Sequence, residues 1–240
     1  MKHIYLDKSF FFFLLIIILT GNFNHFSIYF LLLIIHELGH TLIGVILGYK
    51  LDKISFYPCG GVTSFNIPLN IPLKKELLIL IMGPIFQVIG YLVLKQYIDG
   101  NYLTIYHYTL LIFNLLPIYP LDGGRIINIL FNYHFCYLNS FYFTYIFSIL
   151  ILIGLFIYNI INFNLNLLLM IIVLVFKLVS NYRNLKYYYS KFLLERYLNN
   201  YSFKKKKYIN SIDKFYRDRE HVVNFKGEKL VLKRYFNDGL

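Results

Sequence analysis

Two histidines and one glutamate carry the strongest chemistry in this chain. They stand in the run His36-Glu37-Leu38-Gly39-His40. On a helix, residues four apart share a face. Both imidazoles can therefore reach one metal ion, with Glu37 beside them. Two His ligands next to a Glu that acts as general base is the arrangement in which zinc metalloproteases activate water. Such a zinc needs a third protein ligand and an open position. Asp122 is the leading candidate for that ligand. It follows Asn114-Leu115-Leu116-Pro117-Ile118-Tyr119-Pro120-Leu121 and precedes Gly123-Gly124. Two prolines and two glycines break a helix there. Broken backbone at membrane depth is tolerated only where protein or a water-filled cavity covers it, so the break points to a cavity. Asp122 also reads as the N-cap of a following helix, and His107 competes as a ligand. Spacing alone leaves these alternatives open.

The elements that must position these residues are membrane spans. Of the 240 residues, 58% are hydrophobic and 15% charged. A soluble domain has about 45–50% and about 25%. The balance excludes a single soluble domain, and it excludes disorder over most of the chain. Two cysteines far apart exclude a disulfide scaffold. A spanning helix needs about 20 mostly apolar residues. About six are expected, over residues 10–19, 26–47, 77–94, 102–116, 141–161 and 165–180. The first extends toward Ile4 if Lys2 and Lys8 reach the headgroups. No small-x-small cleavage site follows Leu19, so it reads as a retained span rather than a signal peptide.

The His-Glu motif thus falls in the middle of the second span. A charged residue there costs at least about 2.5–3.5 kcal/mol. Helix packing or a proton relay is the plain alternative, and three polar residues at ligand spacing argue against it. A short β-like loop, Cys59-Gly60-Gly61-Val62-Thr63-Ser64-Phe65, follows the second span. It can offer a strand edge to an extended segment, or serve as a simple turn. Gly83-Pro84 is expected to kink the third helix, with Gln87 one turn on either facing the site or packing.

Charge divides the chain into a membrane part, 1–180, and a basic tail, 181–240. The tail holds 15 of the 24 Lys+Arg and 6 of the 12 Asp+Glu. With the N-terminus in the cytoplasm, every Lys and Arg except Lys95 lies on the inside, as basic residues in short loops prefer. Both termini are then cytoplasmic in a multi-pass protein of the cell membrane. The tail suits anionic lipid headgroups. No nucleic-acid motif accompanies its charge, so nucleic acid is not an expected partner. Within it, residues 186–199 read as a helix. Residues 221–223 and 229–232 flank Gly227 as a small hairpin.

These motifs together resemble the site-2 protease (M50) family of intramembrane zinc metalloproteases. Within it, the chain is similar to the bacterial sporulation branch that processes a membrane-bound pro-sigma factor. The resemblance rests on residues 35–40, 57–62, 83–84, 113–125 and 191–198, and covers about residues 30–200. It implies an all-α polytopic membrane protein. It implies His36, His40 and Asp122 as Zn2+ ligands and Glu37 as catalytic base. It also implies that Asn114 lines the active site; Gly60 and Gly61 are candidate substrate contacts only through the strand-edge reading of the loop above. Members of this branch often end in a cytoplasmic CBS-type domain. The tail here is too short for a complete one, and Cys59 stands where the branch tends to have an aromatic residue.

The expected function is an intramembrane metalloendopeptidase. It would cut a membrane-tethered or single-span protein near the cytoplasmic face, releasing a soluble part such as a transcription factor. Water on zinc would be activated by Glu37. A membrane-embedded inhibitor is a further partner of the expected kind. The rival class is a non-proteolytic metal-binding membrane protein, a transporter or a scaffold.

Overall fold

The computed structural model describes residues 4–6, 14, 17–57, 60–66, 68–98, 100–199, 201, 203, 205–209, 214–225 and 228–231. The chain forms two compact units that interleave in sequence. The first comprises Met1–Ile67 and Leu77–Leu115, the second Pro68–Glu76 and Leu116–Leu240.

In the first unit, β1 is Ile4–Leu6 and α1 is Phe23–Ile46. A hairpin follows, β2 (Leu51–Tyr57) and β3 (Gly60–Phe65). Then come α2, Leu73–Leu94, whose first turn belongs to the second unit, and α3, Asn101–Leu115. The sheet order is β1-β2-β3. β2 and β3 pair antiparallel, from Leu51↔Phe65 to Tyr57↔Gly60. The β-like loop expected after the second span is therefore a true hairpin; Pro58 and Cys59 lie outside the described residues. β1 pairs parallel with β2 through Ile4↔Ile54 and Leu6↔Phe56. This corrects the extension of the first span toward Ile4: Ile-Tyr-Leu suits a pleated edge, and its backbone groups are satisfied by β2 instead of by a helix. Most of 10–19 lies outside the described residues.

Among the described residues, four helices are long and apolar enough to cross a membrane: Phe23–Ile46, Leu73–Leu94, Tyr137–Ile161 and Leu165–Arg183. They match four of the six expected spans. The span expected at 102–116 is α3, 15 residues long. At 1.5 Å per residue it reaches about 22 Å, short of the roughly 30 Å hydrocarbon core.

The second unit contains α4 (Asp122–His134), α5 (Tyr137–Ile161), α6 (Leu165–Arg183) and α7 (Leu185–Leu198), then strands β4 (Lys206–Ile209), β5 (Glu220–Phe225) and β6 (Glu228–Val231). Its long helix shows how the chain is built for lipid. On α5, Ser140, Thr144 and Ser148 follow one another at four-residue spacing and all are buried. Each hydroxyl donates to a carbonyl one turn back, and Thr144 Oγ1 also accepts from Asn128 Nδ2 at 3.0 Å. The outer face of the same helix carries Ile146, Leu150, Ile153, Ile157 and Ile160, all at least half exposed. Polar groups inside and aliphatic groups outside is the inverse of a water-soluble helix. It fits a solvent as apolar as the side chains themselves.

In the described part of the tail, a helix and a hairpin lie where the pattern predicts them, and β4 is added. α7 replaces the expected 186–199 helix almost residue for residue. β5 and β6 form the expected hairpin, with Val222↔Val231 and Phe225↔Glu228. The tail also holds the segment before α2. Asp218 Oδ2 accepts from the Leu73 N–H at 2.9 Å, and Glu195 Oε2 from the Leu69 N–H at 2.6 Å. Arg217 lies 2.7 Å from Glu76 and donates to the Ile71 carbonyl.

Candidate metal centre

α1 presents His36, Glu37, His40 and Thr41 to the interior, while Leu38 and Leu42 point outward. The 3.6-residue period alone dictates this division. His36 and His40 bring their Nε2 atoms to 3.2 Å of each other.

The partners of the other ring nitrogens fix the tautomers. His40 Nδ1 is 2.8 Å from the Ile79 carbonyl oxygen, which can only accept, so Nδ1 carries the hydrogen. His36 Nδ1 is 3.0 Å from Gln87 Oε1. That amide is oriented by its own Nε2, which donates to the His107 carbonyl at 3.0 Å. Its oxygen therefore faces His36, and His36 Nδ1 is also the donor. Both Nε2 atoms thus carry lone pairs, and these converge on one region. Converging imidazole lone pairs, each ring aimed by an acceptor on Nδ1, are the arrangement a metal cation requires. The donor chemistry of this pair fits zinc.

Close backbone approach makes the arrangement possible. A Cβ at Gly39 would strike the Met82 carbonyl, and a Cβ at Gly83 would strike the His40 ring. Two small residues thus let α1 and α2 come together where the imidazoles lie. Pro84 lies inside α2, and Gly83 gives the His40 ring room to pack against the helix. Gln87 is fully buried and belongs to the site rather than to general packing. His107 supports Gln87 through its carbonyl and stacks its ring on Tyr91 at 4.1 Å.

Glu37 is 6% exposed. Its Oε2 accepts a hydrogen bond from Thr63 Oγ1 at 2.6 Å. A Cβ at Gly61 would lie 2.6 Å from Glu37 Cγ and 2.7 Å from Oε1. Strand β3 therefore lies directly against the carboxylate. Gly60 pairs with Tyr57 at the turn end of the hairpin. Asn114, near the end of α3, places Nδ2 3.5 Å from His36 Nε2, beside the converging lone pairs. Sequence reasoning did not find Thr63. The available signal was its position two residues after Gly61, which puts both on one face of a strand.

Asp122 is the first residue of α4, and Leu121 is the N-cap. The capping alternative for Asp122 is thus displaced by one residue. The break expected around it is real: α3 ends at Leu115 and α4 begins at Asp122. Two bonds shape the turn before it. The Tyr119 N–H donates to Ser148 Oγ at 3.0 Å, and the Leu121 N–H to the Ile118 carbonyl at 2.9 Å. The Tyr119-Pro120 bond is cis.

Comparison with known proteins agrees with these features. Residues 25–98 match peptidase family M50. Stage IV sporulation protein FB of Bacillus subtilis is 28% identical over 190 residues, 75% of this chain and 66% of that protein. A zinc metalloprotease of Methanocaldococcus jannaschii is 36% identical over 126 residues, 48% of this chain and 36% of that protein. The chain thus spans about two thirds and about one third of these two relatives. The solved site-2 protease from Methanocaldococcus jannaschii superposes with a TM-score of 0.56 at 29% identity, over 74% of this chain and 89% of that one. The fold is similar to that of this solved site-2 protease. The match of residues 25–98 to peptidase family M50, the sporulation-type relative and the relative described as a zinc metalloprotease point to one family.

Proposed function

We propose that this protein is an intramembrane zinc endopeptidase that cuts a membrane-tethered or single-span protein near the cytoplasmic face. His36, His40 and Asp122 hold the ion. When bound, zinc supplies a Lewis acid for the scissile carbonyl. The convergence of the two Nε2 lone pairs beside a buried, hydrogen-bonded Glu37 is the observation that carries this reading.

The chain's own residues do the rest. Glu37 accepts a proton from the attacking water and delivers it to the leaving amide nitrogen. A carbon–oxygen bond forms, the carbon–nitrogen bond breaks, and the proton ends on the amine. A helical substrate must open, because its amides are held in helix hydrogen bonds. Among the described residues β3 is an edge strand of its sheet, so an extended segment can pair along it and bring its backbone past Gly60 and Gly61 to Glu37. Asn114 offers an amide donor to a substrate carbonyl next to His36. Both termini face the cytoplasm, and the exposed Lys206 and Lys207 meet anionic lipid. A released soluble fragment such as a transcription factor fits this orientation, and a membrane-embedded inhibitor would act by covering the β3 edge.

The test is cleavage of co-expressed single-span proteins by the wild type and by Glu37→Gln, with zinc measured in both. Loss of cleavage in a variant that keeps zinc supports the protease. Equal zinc flux into vesicles by both forms, with no cleavage by either, favours the transporter reading instead.

A further inference from the structure

Among the described side chains, strand β3 meets helix α1 through residues 61, 63 and 65. These alternate onto one face of the strand. Each meets a different turn of the helix. Gly61 backs onto the Glu37 carboxylate. Thr63 Oγ1 donates to Glu37 Oε2 at 2.6 Å and sits 3.5 Å from Thr41 Oγ1. The Phe65 ring fills the space at Gly44, where a Cβ would collide with it. The helix side of this register is residues 37, 41 and 44, a single stripe. The strand and the motif helix are thus keyed together turn by turn, and the key at the reactive end is a hydroxyl on a carboxylate.

We infer that Thr63 is a positioning residue for Glu37. This rests on the proposed role of Glu37 as base and adds to it. The hydroxyl hydrogen occupies Oε2 and fixes the plane of the carboxylate, which leaves Oε1 as the oxygen that takes the proton from water. Thr63 needs only its hydroxyl for this, and its methyl group keeps the β-branched shape that a strand prefers. The same strand offers its outer edge to substrate. An extended segment that pairs with β3 therefore tightens the element that aims the base. The carboxylate is best ordered when the edge is occupied. Hydrolysis is thereby tied to a bound, opened substrate.

Three variants test this: Thr63→Val, which keeps the shape and loses the hydroxyl; Thr63→Ser, which keeps the hydroxyl; and Glu37→Gln as reference. The probe is a fluorogenic single-span peptide chosen because the wild type cuts it and Glu37→Gln does not. Zinc per chain is measured for every variant, together with kcat and KM. A hydrogen bond to a charged group is strong enough that its loss should lower kcat about ten- to hundredfold. Thr63→Val is expected to do so with KM within about twofold and zinc unchanged, and Thr63→Ser to return to within about threefold of the wild type. A Thr63→Val kcat within twofold of the wild type overturns the inference while leaving Glu37 as base. So does loss of zinc in step with activity, or an equal loss in Thr63→Ser. If no peptide distinguishes the wild type from Glu37→Gln, the reading of Glu37 itself fails, and this inference with it.

Discussion

Each of the two units buries a polar cluster, and the two clusters are built in opposite ways. In the first unit, His36 and His40 turn lone pairs toward a common region, with donors facing away to Ile79 and Gln87. In the second, Arg196 turns donors outward onto acceptors. Nε bonds to Asn70 Oδ1. Nη1 bonds to the Arg219 carbonyl at 2.9 Å and to His221 Nδ1 at 2.7 Å. Nη2 bonds to the Tyr216 carbonyl at 2.8 Å. The rings of Phe192 and Phe203 lie 4.8 and 4.6 Å from the guanidinium carbon. The Arg196 cluster commits four of the guanidinium's five N–H donors to acceptors and so holds structure together. The His36–His40 pair concentrates acceptor capacity on one place and so asks for a cation. Both are buried and both are polar, so burial alone does not distinguish a site from a strut. The direction of the donors does.

That contrast is broken most severely by removing the proposed ligands. His36→Ala and His40→Ala should each reduce bound zinc to a small fraction of one per chain, by metal analysis, and abolish cleavage. The tail strands should stay as protected from hydrogen exchange as in the wild type. If His40→Ala unfolds the tail instead, the two clusters do not have separate duties.

The next largest effect is expected at Arg196. Arg196→Met keeps bulk and removes the donors, leaving Asn70, His221 and two carbonyls buried without them. Each orphaned group costs about 1–3 kcal/mol, so the tail should lose at least about 3 kcal/mol in denaturant unfolding. Zinc per folded chain should be unaffected.

Gln87→Leu sharpens the comparison from the other side. It removes the acceptor that aims His36 while leaving both ligands in place. Loss of such an outer partner typically weakens metal binding about 10–100-fold. Competition with a zinc chelator should show that shift. An unchanged affinity would mean that Gln87 only fills space.

The mildest effect is one of pH. Burial, reinforced by the Arg196 and Arg219 charges, pushes the His221 imidazole down to about 3. The unfolded chain holds it near 6.5. Between those values the unfolded state binds the extra proton, so the neutral folded form loses stability as pH falls from about 6.5 toward 3. Burial also lowers Arg196, to about 9, which leaves it protonated at neutral pH. Exchange protection of β5 should therefore decline below pH 6.5, and the decline should flatten in His221→Gln. A decline of the same size in His221→Gln would assign it to the tail's carboxylates instead.

The two clusters also differ in how far the sequence discloses them. His36, Glu37 and His40 lie within five residues on one helix, and the helical period alone brings them to one face. Asp122 could be singled out because it follows a Pro-rich break in an apolar run. Asn70 and Arg196 are 126 positions apart, and only the fold brings them together. Gln87 was ambiguous for the same reason, since its task depends on His107 fixing the amide. Thr63 was hidden inside a stretch readable only as a turn or a strand edge. The helices of the membrane part followed from apolar length. The strand at Ile4–Leu6 did not, because three residues beside a hydrophobic run carry no period of their own. Their pairing with residues 54–56 is a long-range contact.

The central claim is that His36, His40 and Asp122 form a three-ligand zinc site. The most direct measurement is zinc per chain in purified, detergent-solubilised wild type and Asp122→Ala, with folding checked by circular dichroism. The account predicts about one zinc in the wild type and much less in Asp122→Ala. Equal zinc in both would remove Asp122 from the ligand set, and a folded wild type that binds none would contradict the account as a whole.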